Sequence, residues 1–131
     1  MAAVPAGHPL ARQRRVTLRD LVAHPIVCMP SGTGLRAAFD LACAARDLRP
    51  TIALQAGAAD AVADLAARGL GVAVLSESMA AGHGDRLTAR LIDDVDTPAM
   101  LALIWKSGHN PVAVRKLLHH SRRAFTDAGP A

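Results

Sequence analysis

Ile26-Val27-Cys28-Met29, the turn Pro30-Ser31-Gly32-Thr33-Gly34, an Ala-rich segment over residues 35–46, Thr51-Ile52-Ala53-Leu54-Gln55-Ala56, residues 60–68, and Gly69-Leu70-Gly71-Val72-Ala73-Val74-Leu75 form the stretch that decides the fold. Leu35, Ala38, Phe39, Ala42 and Cys43 recur at helical spacing, as do Val62, Leu65 and Ala66, whereas the runs between them are short, apolar and bounded by turn residues. The order is therefore strand, helix, strand, helix, strand. Residues 72–75 are apolar throughout, as a strand covered on both faces should be, and Gly69 supplies the stop of the helix before it. Parallel strands joined by helices gather their outgoing loops in one crevice, where open α/β sheets take small ligands.

Upstream of this stretch, residues 1–11 have no sustained period and read as a strand remnant followed by a turn. Thr17 is placed to cap a short helix carrying Leu18, Leu21 and Val22 on one face, with Asp20 favourable in its first turn, and His24-Pro25 ends it. Downstream, Ser76-Glu77-Ser78 opens one helical turn and Gly82-His83-Gly84-Asp85 is a loop. Residues 87–92 and 100–106 are expected strands. Residues 107–111 turn the chain into a last helix over 112–125, with Val114, Leu117, Leu118, Ser121 and Phe125 on or near one face.

With 131 residues, 51% hydrophobic and 20% charged, the chain has the composition of an ordinary globular protein with a small core. The formal net charge of +4 is scattered except at Arg12-Gln13-Arg14-Arg15 and Arg122-Arg123, which read as solvated ends. Two Phe, one Trp and no Tyr exclude a base-stacking surface. Cys28 and Cys43 read as small core hydrophobes in a reducing compartment. No apolar run reaches the length of a membrane span and no export signal follows Met1, so no membrane partner and a cytoplasmic location are expected.

The chemistry on offer is concentrated in the 30–34 turn, which lies between a strand and a helix and can present N–H groups and hydroxyls to an anion. It lacks the lysine and length of a Walker A loop, and its alternative role is a strain-relieving turn in which Ser31 or Thr33 caps the helix. His8, His24, His83, His109, His119 and His120 fall mostly in loops and at helix ends and read as surface histidines, with no metal and no cofactor expected. Asp93, Asp94 and Asp96 read as a solvated acidic turn. No nucleophile with its base can be assembled, so an enzyme is not expected.

His8-Pro9-Leu10-Ala11, Val16-Thr17-Leu18-Arg19-Asp20-Leu21, Pro25-Ile26, the 30–34 loop, Arg49-Pro50, residues 68–75 and Leu103-Ile104-Trp105 together resemble the effector-binding (substrate-binding) domain of bacterial LysR-type transcriptional regulators. The resemblance implies an α/β fold: a periplasmic-binding-protein-like (type 2) regulatory lobe, mostly parallel sheet flanked by helices, present as an incomplete second lobe. It implies an effector-binding lobe over residues 1–96, starting on a crossover strand, and over residues 97–131 a return strand and C-terminal helix belonging to the first lobe. Pro30, Ser31, Gly32 and Thr33 would face a small-molecule effector, with a carboxylate as a candidate ligand group. Ser76 stands where the family often has proline. The resemblance further implies a homodimer, or association through the exposed return segment, and DNA contact only through a winged helix-turn-helix absent from this chain. Two other readings use the same residues: a lobe of an exported solute-binding protein, which a signal peptide would mark, and a small α/β enzyme holding a phosphate on the 30–34 loop, which turnover would mark.

Overall fold

The computed structural model describes residues 1–95, 104–105, 108 and 111–127. The chain divides into two compact units, Met1–Ala99 and Met100–Ala131. The first is built on a five-stranded sheet of β1 (Ala2–Val4), β2 (Ile26–Cys28), β3 (Ile52–Gln55), β4 (Val72–Val74) and β5 (Thr88–Arg90), in the spatial order β3-β2-β4-β1-β5. β2 runs parallel to both β3 and β4, with α2 (Gly34–Ala44) and α3 (Ala59–Ala67) as the crossovers. The order read from residues 26–75 is thus the order observed. β1 lies antiparallel between β4 and β5, pairing Ala2 with Val74 on one side and with Arg90 on the other. The segment read as a strand remnant is therefore a fully paired central strand, and all three of its residues are buried.

Side chains alternate across the sheet and fill a core on each face. Ile26, Cys28, Val72, Val74, Ala2 and Val4 face α2, the short helix α1 (Leu18–Val22) and a 3-10 turn at Pro9–Arg12, and they pack with Leu10, Leu18, Leu21, Phe39, Ala42 and Cys43. Val27, Ala73, Leu75 and Ala3 face α3 and α4 (Glu77–Ala81), against Val62, Ala63, Ala66 and Ala80. Each fully buried Val, Leu or Ile contributes about 1.5–3 kcal/mol. β3 is an edge strand: Ala53, Leu54 and Gln55 are exposed and only Ile52 packs inward.

Local chemistry sets the helix ends. Thr17 forms a capping box: its Oγ1 accepts from the Asp20 N–H at 3.2 Å, while Asp20 Oδ2 accepts from the Thr17 N–H at 2.9 Å and from its hydroxyl at 2.7 Å. Those hydrogen bonds from Thr17 hold the Asp20 carboxyl below the usual aspartate value. α3 ends in a Schellman motif. Gly69, at φ +77°, donates to the Ala66 carbonyl at 2.8 Å and Leu70 donates to the Leu65 carbonyl at 3.2 Å.

The acidic turn after β5 is not merely solvated. Asp94 Oδ1 accepts from the Leu18 N–H at 2.8 Å, a second cap on α1, and its other oxygen lies 3.4 Å from Arg46 Nε. Asp93 pairs with Arg15 at 3.2 Å. These partners are about eighty residues away in the chain or, for Arg46, in the turn after α2, so a local reading of charge has no access to them.

In the second unit, α5 covers Val112–Asp127, and the Arg122 guanidinium lies 5.9 Å over the Trp105 ring. The strand expected over 100–106 falls mostly outside the described residues, as do Asp96 and His109. Among the described residues no helix is long and apolar enough to cross a membrane.

Candidate functional site

Because β2, β3 and β4 are parallel, the segments leaving their carboxyl ends emerge along one edge of the sheet: Met29 onward, Ala56 onward and Leu75 onward. The start of β1 joins them, since β1 is antiparallel: the Met1 amine donates to the Leu75 carbonyl at 2.7 Å and the Met1 carbonyl accepts from the Leu75 N–H at 3.1 Å. Neighbouring strands lie about 4.8 Å apart, so the loops after β2 and β4 are within reach of one small molecule.

In the loop after β2, Thr33 holds the N-cap position of α2 without capping it. Its hydroxyl instead donates to the Pro30 carbonyl at 2.8 Å, and its N–H reaches the same oxygen at 3.3 Å. Gly32 takes φ +91°, a conformation that favours glycine. Ser31 and Gly32 are exposed, Pro30 and Thr33 half-buried. Ser31 Oγ has no hydrogen-bond partner among the described residues, so this hydroxyl and the first N–H groups of α2 remain available to an anion. The role of helix cap, open to either hydroxyl in the sequence, is taken by neither.

Behind the loop, Arg36 is held by its own helix. Its Nε donates to both oxygens of Asp40, at 2.8 and 2.9 Å, and Nη1 points at Cys28 Sγ at 3.6 Å. The hydrogen bond to Asp40 raises the Arg36 pKa. Burial raises that of the Cys28 thiol and pushes Cys43 up to about 11, so both thiols stay neutral near physiological pH, as core residues.

Next to these loops, on the α2 face of the sheet, lies an open groove of about 980 Å³. Leu35, Ala38 and Phe39 form one wall, Leu91, Ile92 and Val95 another, with Leu18 and Val74 beneath and Leu75, Ser76, Glu77 and Ser78 at the end. None of Pro30, Ser31, Gly32 or Thr33 lines it. Ser76 caps α4, its Oγ accepting from the Met79 N–H at 3.2 Å and lying 3.1 Å from Ser78 Oγ. Sequence periodicity assigned Leu35 and Ala38 to a core stripe; that stripe continues past the packed core onto the groove wall. The run of Ser76, Glu77 and Ser78 straight after a buried strand was the local signal for the groove's polar end.

The histidines divide. His8 Nδ1 accepts from the Leu10 N–H at 3.2 Å, and burial together with His24, whose ring centroid is 4.7 Å away, lowers its pKa. His83 is buried, contrary to the surface reading, because the turn after α4 folds back on α3. Arg86 Nη2 lies 3.0 Å from His83 Nδ1 and can only donate, which leaves the ring proton on Nε2, 3.1 Å from Asp60 Oδ1. Among the described residues no group of three His, Cys, Asp or Glu could hold a metal ion.

Comparison with known proteins follows the same lines. The family model described as the LysR substrate binding domain matches residues 1–126. The HTH-type transcriptional regulator CysB of Burkholderia cenocepacia is 37% identical over 76 residues, 58% of this chain and 24% of that protein. The transcriptional dual regulator GltC of Bacillus subtilis is 34% identical over 90 residues, 69% of this chain and 30% of that protein. This chain thus spans less than a third of either regulator. Among solved structures, the CcmR regulatory domain of Synechocystis PCC6803, in complex with 2-PG, is similar with a TM-score of 0.76 and 22% identity, over 99% of this chain and 64% of that one. The mixed sheet flanked by helices is the fold of these regulatory domains, the periplasmic-binding-protein-like α/β fold.

Proposed function

This chain belongs to the LysR substrate binding domain family, and from that premise we propose that it serves as the effector-sensing lobe of a transcriptional regulator. The observation that carries the proposal is the common edge formed by the carboxyl ends of β2, β3 and β4, where the Ser31 hydroxyl stands exposed without a partner among the described residues. In this reading residues 1–96 form the effector-binding lobe, and residues 97–131 are the return strand and C-terminal helix of a first lobe. Pro30, Ser31, Gly32 and Thr33 contact a small molecule through a carboxylate, with the Ser31 hydroxyl and the start of α2 as donors. The CcmR regulatory domain, of the same fold, is in complex with 2-PG, which supports a ligand-binding role for this fold.

The chain acts by binding and not by turnover, in the cytoplasm, as a homodimer or associated through its return segment. DNA is reached through a winged helix-turn-helix elsewhere in the regulator. The test is a thermal-shift screen of small carboxylates, followed by calorimetry on Ser31→Ala combined with Thr33→Ala. A hydrogen bond to a charged group is worth about 1.5–3 kcal/mol, so the double variant is expected to lose about tenfold or more in affinity. Unchanged affinity would overturn the assignment of this loop.

A further inference from the structure

The groove beside the loop differs from the loop in chemistry. Its walls are apolar, with Leu35, Phe39 and Leu91 among them, and its polar end consists of Ser76, Glu77 and Ser78. Ser76 Oγ already accepts from the Met79 N–H, and the 3.1 Å contact between Ser76 and Ser78 uses one hydroxyl proton between them. Glu77 is exposed at the rim and belongs to none of the ion pairs among the described residues of the first unit. The Met1 amine feels Glu77, but it already donates to the Leu75 carbonyl at 2.7 Å, and burial pushes its pKa down more than Glu77 raises it. A carboxylate beside low-dielectric apolar walls attracts a cation and repels an anion more strongly than it would in open water.

Resting on the effector-binding reading above, we infer that the groove takes the body of the effector, and that this body is an apolar, aromatic or branched-aliphatic group bearing an ammonium directed at Glu77. The wall of Phe39 and Leu35 removes the apolar body from water, Glu77 accepts from the ammonium, and the Ser78 hydroxyl completes its shell. The effector class is then an amine or amino acid with a large apolar side group. A dicarboxylate or sugar phosphate would leave the apolar walls unfilled and set a second negative charge against Glu77.

The experiment uses the full chain and two probes that differ in one group, 2-phenylethylamine and phenylacetate, titrated near neutral pH and followed by backbone amide NMR. The amine is expected to shift the amides of Leu35, Ala38 and Ser76 to Ser78, and to bind about tenfold tighter than the acid. Glu77→Gln changes an exposed side chain and so leaves the fold in place; it is expected to bring the two affinities together. Ala38→Phe fills the groove and is expected to abolish the amine shifts while leaving the phenylacetate shifts of the 30–34 loop. Equal or tighter binding of the acid, an unchanged ratio in Glu77→Gln, or amine shifts elsewhere would each overturn the inference. If phenylacetate binds at least as tightly as the amine and Ser31→Ala weakens it, the effector-binding reading stands while this inference falls. If neither probe nor any carboxylate in the thermal-shift screen perturbs the carboxyl-end loops, both fall.

Discussion

Gly71 is a position where a side chain would meet backbone at close range, and Gly71→Ala makes the sharpest test of the sheet. A Cβ built there would lie 2.7 Å from the Pro25 carbonyl oxygen, 2.9 Å from Val27 Cγ2 and 3.2 Å from the Pro25 carbonyl carbon. Two of these atoms are backbone, and the Pro25 oxygen is not free to move, because it accepts from the Val72 N–H at 2.8 Å where β2 meets β4. The φ of +154° adds strain for any L side chain. Overpacking costs about 1–3 kcal/mol and a sparsely populated backbone conformation about 1–3 kcal/mol, giving a loss of about 2–6 kcal/mol. Against a total stability of about 5–15 kcal/mol, that is a large fraction. Urea unfolding followed by circular dichroism reads the loss, with Gly69→Ala as the control. Gly69 has φ +77° but nothing within 4 Å of a built Cβ, so it should cost only the left-handed strain, about 1–2 kcal/mol. A Gly71→Ala midpoint equal to or above that of Gly69→Ala would refute the close approach of β4 to the Pro25 carbonyl.

Thr17→Ala should destabilise by about 1 kcal/mol through loss of the cap, read in the same urea assay. It should also flatten the acid limb: because Thr17 lowers the folded pKa of Asp20, the stability it contributes is present above the ordinary aspartate value and is lost as pH falls through the lowered one. A Thr17→Ala variant with the wild-type slope between those values would contradict this. Asp94→Ala removes both the Leu18 cap and the Arg46 pair and should cost about 1–2 kcal/mol, whereas Asp94→Asn keeps an acceptor for the Leu18 N–H and should cost less. Equal losses would mean that the ion pair, and not the cap, carries the effect.

What could be read from the sequence was whatever is local. Residues 26–75 announce their strands and helices because each period completes within one element, and Thr17 and Gly69 act on N–H and carbonyl groups a few residues away. β1 was legible only as a remnant because Ala2, Ala3 and Val4 become a strand through partners at 73–74 and 88–90. Asp94 and His83 were misjudged for the same reason: one caps Leu18, 76 positions away, and the other meets Asp60, 23 positions away. The 30–34 loop could be singled out because its glycines and hydroxyls are contiguous. The groove beside it could not, since α2, the end of β4 and residues 91–95 meet only in the folded chain. Membership of the family was legible in the order and spacing of short motifs, none of which is decisive alone.

The claim at the centre of this account is that a small molecule binds where the parallel strands end. Hydrogen exchange read by mass spectrometry, with and without a metabolite selected by thermal shift, tests it most directly. The expected result is slowed exchange in the segments that follow β2 and β4, residues 29–35 and 75–78, with little change at the opposite edge around His24 and Leu70. Protection confined to that opposite edge, or no protection by any metabolite that raises the melting temperature, would contradict it.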